Sequence, residues 1–379
     1  MFRYLYIDVV CLSLVMLSPM LPSCRGQSIS VTQFPAATAS PPPLPTLELD
    51  ESASKIDEIL TSLTAKEEFT GSVLVARNGE VLLSRGYGFA DRDKNISNSP
   101  QTKFRLGSIT KEFTATAILM LQAQDKLKVQ DLICRYIPDC PPAWQDITIH
   151  HLLTHTSGIP NITDFPDYPA FKATPSPPDQ TVERFKDKPL DFKPGEKGSY
   201  SNSGYVVLGY IIEQASGQSY ETFLQQYIFE PAQMKNTSYD HNDGSLAKGY
   251  TGFHAKWETP DYLDMTIPFA AGGLYSTIED LYRWDQVLYT EQLLSQESLD
   301  VMFTPQAMLS NLGMNYGYGW FVREVNDRLV LSHSGGIDGF ATEMRRYPDD
   351  KVMIIILSNR ETTDVITVGD QIEQTLFDE

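Results

Sequence analysis

Basic residues are scarce in this chain: 30 Lys and Arg stand against 49 Asp and Glu, a formal net charge of −19 over 379 residues. No lysine-rich run and no internal repeat occurs. That balance argues against nucleic acid and against anionic membrane surfaces as general partners, although a local site can still be basic. Apolar runs are short as well. The stretch from Val9 to Leu21 is broken by Ser and Pro and opens beside Asp8, too short and interrupted for a comfortable membrane span. Zinc-protease spacing is incomplete. His151 and His155 stand four apart with His150 adjacent, but Leu152 occupies the place where such a site needs Glu. A helix followed by a Thr156-Ser157-Gly158 turn, with the histidines bonding backbone, is the expectation, with no metal and no cofactor. The length accommodates two average domains, or one large α/β enzyme with a helical subdomain.

Three short motifs carry chemistry. Gly107-Ser108-Ile109-Thr110-Lys111 contains Ser-x-x-Lys, a pattern repeated at Ser52–Lys55 and Ser245–Lys248. Context separates the copy at Ser108. A strand-like Lys103–Leu106 precedes it, and Phe113 to Leu121 follows, apolar enough for a largely buried helix. A serine in the first turn lies near unpaired backbone N–H groups and the positive dipole end. Residues three apart share a face, so Lys111 reaches the Ser108 hydroxyl. Tyr200-Ser201-Asn202 supplies a phenol and an amide between a Gly/Pro loop and a helix expected over Tyr205 to Ala215. His333-Ser334-Gly335 follows the alternating, strand-like Arg328–Leu331. Each motif alone has an ordinary reading: a helix cap at Ser108, a capped loop at Tyr200, a β-bulge or turn at His333. No structural need places all three in this order.

Taken together, the motifs resemble the serine β-lactamase and penicillin-binding-protein superfamily. His151–Pro160, Ala271–Thr277 with Asp280-Leu281, and Tyr316–Trp320 look like the class C β-lactamase and DD-peptidase branch. The similarity runs from about Lys55 to Leu376. It implies an α/β (α+β) fold of the β-lactamase/transpeptidase type: one antiparallel sheet of amino- and carboxy-terminal strands flanked by helices, plus a mainly helical subdomain over roughly Ile109 to Tyr262. The active site is then expected in the cleft between them. Asn-Gly at 78–79 marks a hairpin between Phe69–Ala76 and Val81–Ser84. Further strands are expected over Arg328–Ser332, Thr342–Tyr347 and Val352–Leu357, and a last helix over Asp364–Leu376.

The chemistry assigns Ser108 as nucleophile, with Lys111 and Tyr200 as rival bases whose roles the sequence leaves open. Asn202, His333 and Gly335 are the substrate-binding candidates. Backbone N–H groups of Ser108 and, by resemblance, Gly336 form the oxyanion hole. Many β-lactamases carry Lys-Thr-Gly where this chain has His333-Ser334-Gly335, and histidine loses much of its charge at neutral pH. Ser-Asp-Asn and a dedicated deacylating Glu are not recognisable. The expectation is therefore an exported serine hydrolase working through an acyl-enzyme on small-molecule or peptide substrates, with D-amino-acid peptides of cell-wall type favoured. An esterase or β-lactamase of the same fold is the alternative, and a slow penicillin-binding sensor or non-catalytic peptide binder the reading from another class. The loop from Asn161 to Asp191 is expected to shape the pocket.

Residues 1–24 read as an export signal. Leu21-Pro22-Ser23-Cys24 resembles a lipobox, so lipidation at Cys24, simple cleavage near Gly26 or Gln27, and a retained anchor are the three alternatives. Residues 25–50 form a Pro/Ser/Thr-rich linker and residues 51–379 the hydrolase domain. Cys134 and Cys140 flank a five-residue stretch. They form a local disulfide in an oxidising compartment or remain two buried thiols, and their separation in space decides.

Overall fold

The computed structural model describes residues 51–242, 244–252 and 256–377. Residues 1–50, expected as an export signal and linker and carrying Cys24, lie outside the described residues.

Eight strands build the main sheet, named here in chain order: β1 (Gly71–Arg77), β2 (Glu80–Tyr87), β3 (Ala307–Leu309), β4 (Met314–Tyr316), β5 (Phe321–Val325), β6 (Arg328–Ile337), β7 (Phe340–Tyr347) and β8 (Val352–Ser358). Their spatial order is β2-β1-β8-β7-β6-β5-β4-β3. Every pairing is antiparallel, and β1 from one end of the domain sequence pairs with β8 from the other, Gly71 opposite Ser358. Asn78 and Gly79 both take positive φ, 53° and 79°, closing the β1–β2 hairpin in two residues as the Asn-Gly pair predicts. The three strands β3, β4 and β5 were not anticipated from sequence.

Side-chain alternation divides the core. Val73, Val75, Ile354 and Ile356 face Ile56 and Leu60 of helix α1 (Glu51–Ala65) and Ile372 and Leu376 of the carboxy-terminal helix (Val365–Phe377). Their neighbours Leu74, Ala76, Met353, Ile355 and Leu357 face the opposite way, into the larger core around helix α2 (Thr110–Ala123). A sheet covered on both faces leaves β8 wholly buried. Helix α2 is buried on nearly every side, which is why its sequence shows little amphipathic contrast. Helix α3 (Asn202–Ser216) packs against it and ends at Gly217 in the left-handed region, φ 74°.

Cys134 and Cys140 are joined as a disulfide, their Cα atoms 5.2 Å apart. Closing so short a loop stabilises by about 2 kcal/mol in the chain-entropy treatment. A Cys134→Ser/Cys140→Ser double variant is therefore expected to unfold at lower urea concentration with unchanged activity, read from paired denaturation and rate measurements.

Candidate active site

Leu106, Gly107 and Ser108 form a tight link between a short strand and helix α2, and three contacts hold it. The Leu106 N–H donates to Leu274 O at 2.8 Å. Thr342 Oγ1 of β7 donates to Leu106 O at 2.8 Å, and the Leu274 N–H donates to Thr110 Oγ1 at 3.2 Å. Gly107 has φ +54°, and a Cβ there would lie 3.1 Å from Gly336 N. The serine turn and β6 thus meet backbone to backbone, and the positive φ and close contact at 107 favour glycine there. Ser108 sits in a single 3-10 turn continuous with α2, and its side chain caps nothing. The ordinary reading of this serine as a helix cap is thereby set aside.

Lys111 is fully buried. Its Nζ donates to Ser108 Oγ at 3.0 Å, Asn202 Oδ1 at 2.9 Å and Ala271 O at 2.7 Å. Burial drives its pKa well below the ordinary lysine value. The Tyr200 hydroxyl hydrogen-bonds the same serine, and burial pushes that phenol upward against the smaller opposing effect of the bond. Lys111 Nζ lies 4.9 Å from the Tyr200 ring centroid. The surroundings therefore favour an unprotonated amine and a protonated phenol on either side of one hydroxyl.

Asn202 opens helix α3, so its amide and the α2 lysine face each other across the helix pair. Asn161 Oδ1 accepts from the Asn202 N–H at 3.0 Å, and Asn202 Nδ2 reaches Thr163 Oγ1 at 3.4 Å. Sequence reasoning placed Asn161 and Thr163 in the loop expected to shape the pocket but gave neither an individual role, because that stretch carries no periodic signal. Ser201 spends its hydroxyl on Ile159 O at 3.0 Å.

His333-Ser334-Gly335-Gly336 is neither bulge nor turn. β6 runs unbroken through it, with His333 opposite Met344 and Gly336 opposite Ala341. His333 is almost wholly buried, 1% exposed. Its Nδ1 donates to Ser334 O at 2.7 Å, which leaves Nε2 to accept from the Tyr316 hydroxyl at 3.1 Å. Burial is the main cause that pulls its pKa down to about 3, so the ring is neutral. Gly335, expected as a substrate-binding residue, has no free space at its Cβ position. A Cβ there would lie 2.0 Å from Leu106 O and 2.3 Å from Thr342 Oγ1. Gly335 therefore lets β6 approach the serine turn, while Gly336, whose Cβ would meet nothing within 4 Å, borders open space. His333 and Gly335 shape the site from behind instead of offering a surface to a ligand.

His155, expected only to bond backbone, does so by accepting from the Ser201 N–H at 3.2 Å. Its ring also lies tilted against Tyr200, with centroids 4.3 Å apart, and against Tyr316 at 4.7 Å. Its φ of +57° places it past the helix Ile149–Leu153, in the turn that carries it under the phenol. His151 Nδ1 accepts from the Thr148 N–H at 3.2 Å, and His150 Nδ1 shares a 2.7 Å bond with the Tyr318 hydroxyl.

A cavity of about 300 Å³ opens onto Ser108, Asn202 and Gly336. Ile162, Leu263, Ile267 and Ile337 give it an apolar wall, and Tyr168 and Asp338 a polar one. Of the loop expected to shape the pocket, Ile162, Thr163 and Tyr168 line this cavity, whereas Thr174, Pro175 and Ser176 border a separate surface depression.

Comparison with known proteins places these features in context. The family described as Beta-lactamase matches residues 56–376. Penicillin-binding protein 4* of Bacillus subtilis is 33% identical over 326 residues, 81% of this chain and 71% of that protein. A penicillin-binding protein of Bacillus halodurans superposes with a TM-score of 0.74 at 26% identity, covering 86% of this chain and 99% of the other. A D-amino acid amidase from Ochrobactrum anthropi shares the fold, with a TM-score of 0.75 at 24% identity over 86% and 98% of the two chains.

Proposed function

Because the chain belongs to the beta-lactamase family of serine hydrolases, we propose that it is an exported acyl-transfer enzyme whose preferred substrates are peptides or amides of D-amino acids. One observation carries the catalytic part. A single hydroxyl, Ser108 Oγ, is held between the buried amine of Lys111 at 3.0 Å and the phenol of half-buried Tyr200.

Lys111, whose pKa burial lowers well below that of an ordinary lysine, takes the Ser108 proton as Oγ attacks the substrate carbonyl. The carbonyl oxygen gains its negative charge between the backbone N–H groups of Ser108 and Gly336; each such donor is worth about 3–4 kcal/mol in the transition state. Tyr200 gives its proton to the departing nitrogen, and the Lys111 ammonium restores the proton to Tyr200. The C–N bond breaks and an ester to Ser108 remains. Water then attacks that ester in the reverse sense, releasing the acid and returning the proton to Ser108. Asn202, fixed by Lys111, Asn161 and Thr163, orients both the amine and the substrate amide.

The D-amino-acid preference draws support from relatives named as penicillin-binding proteins and from the fold shared with a D-amino acid amidase. His333, neutral and buried, presents no cation for a β-lactam carboxylate, which counsels against β-lactamase as the main activity. Intact-mass measurements with benzylpenicillin, beside rates on D-alanyl anilides and acyl esters, test the reading. A drug-sized adduct that needs Ser108, or Ser108-dependent D-alanyl turnover, supports it. Neither adduct nor turnover on any of these compounds would refute it.

A further inference from the structure

We infer that His155 is a positioning residue that grips the chain on both sides of Tyr200 and aims its phenol at the leaving group. It is then decisive for amides and nearly dispensable for activated esters. This rests on the proposed hydrolase reading, in which Tyr200 is the acid.

Residues 199–201 belong to no helix or strand, so their three N–H groups need other partners. His155 takes two of them. Its backbone oxygen accepts from the Ser199 N–H at 2.9 Å, and its Nδ1 accepts from the Ser201 N–H at 3.2 Å. Asn311, in the exposed turn between β3 and β4, takes the third: its Oδ1 accepts from the Tyr200 N–H at 3.2 Å. The backbone of Tyr200 is thereby held at three consecutive points by two distant segments. The imidazole packs against the side chain as well, so His155 touches Tyr200 from backbone to ring.

This grip carries a local cost. His155 takes φ +57°, a left-handed conformation that residues other than glycine seldom adopt. Because Nδ1 accepts, the ring proton sits on Nε2, and that buried N–H has no hydrogen-bond partner among the described residues. The rings of Tyr200, Tyr205 and Tyr316 pack around it, with centroids 4.3, 5.1 and 4.7 Å away. An apolar side chain would fill this space without an orphaned donor. A strained backbone and an unpaired donor on one residue are retained where exact geometry is put to use.

The use is in proton delivery. As the C–N bond breaks, its electron pair takes the Tyr200 proton, and an amine cannot leave without it. A p-nitrophenolate leaves as the anion and needs no proton. D-alanyl p-nitroanilide and D-alanyl p-nitrophenyl ester therefore share an acyl part and differ in their demand on Tyr200. Both are assayed with the whole protein, beside Ser108→Ala and with Tyr200→Phe as the reference. His155→Phe keeps a ring but loses the acceptor. Its kcat is expected to fall at least about tenfold on the anilide, with KM little changed, and less than about threefold on the ester. His155→Asn offers an amide oxygen to the Ser201 N–H and tolerates the left-handed backbone, so it should recover most of the loss. Asn311→Ala, in an exposed turn, is expected to act in the same direction and gives a second reading if His155→Phe does not fold.

If the folded variants lower both substrates equally, or neither, while Tyr200→Phe separates them, the positioning role is overturned and the hydrolase reading stands. A His155→Asn variant no better than His155→Phe overturns the grip in the same way. If Tyr200→Phe itself fails to separate the two substrates, Tyr200 is not the acid and the inference falls with that assignment. Absence of Ser108-dependent turnover on both would overturn the hydrolase reading as well.

Discussion

Replacing Ser108 with Ala is expected to lower kcat by roughly four orders of magnitude or more and to abolish any covalent adduct, with little change in stability. The loss is large because the proposed bond-forming atom is gone, and neither Lys111 nor Tyr200 lies on an element that could substitute for it. What survives is binding and the backbone donors of the oxyanion hole. Stability should move little. Ser108 Oγ is one of three acceptors for Lys111, and Asn202 Oδ1 and Ala271 O remain at 2.9 and 2.7 Å. Ser108 also caps no helix, so its removal costs no cap. Steady-state rates, intact mass and a urea melt on one preparation check all three points. Retained turnover would remove Ser108 from the mechanism.

The second large effect is expected at Lys111. Lys111→Met keeps the length and most of the volume but deletes the amine, and loss of a general base typically costs about 10²–10⁴-fold in rate. Stability should respond to pH in a definite direction. The folded pKa of Lys111 is depressed by burial, whereas the unfolded lysine titrates near 10.4. Between these two values the unfolded chain holds a proton that the folded chain lacks, so stability due to Lys111 rises with pH. Below the folded value both states are protonated, the slope vanishes, and the cost of burying the ammonium is fully present. The methionine variant lacks this dependence. Wild-type stability minus variant stability is therefore expected to rise with pH through the window. A difference that stays flat would mean the amine is not held in the depressed state. Undiminished activity in Lys111→Met would shift the proton acceptor to Tyr200.

Ser108 and Lys111 were legible because helical geometry is local: three residues of spacing set their contact whatever the rest of the chain does. The Asn78-Gly79 hairpin and the alternating strands were legible for the same reason, since turn chemistry and period two act over a few residues. The order of the motifs and their resemblance to the family belong to the same level, whereas the choice between a disulfide and two thiols at Cys134 and Cys140 waited on their separation in space.

Tertiary structure decided what depends on solvent and on distant partners. Nothing near His333 in sequence announces its burial, and only the packing of β6 against the serine turn turns that histidine inward and fills the space at Gly335. The proposed division between Lys111 as base and Tyr200 as acid likewise rests on desolvation, to which spacing is blind. His155 comes beneath Tyr200 because a left-handed turn redirects it after its helix. Lys172 and Asp338, 166 positions apart, meet only when the subdomain closes over the sheet. The sequence determined which groups could do the chemistry. The fold determined which of them face a substrate, and in what charge state, because those properties belong to the surroundings of a side chain and not to its place in the chain.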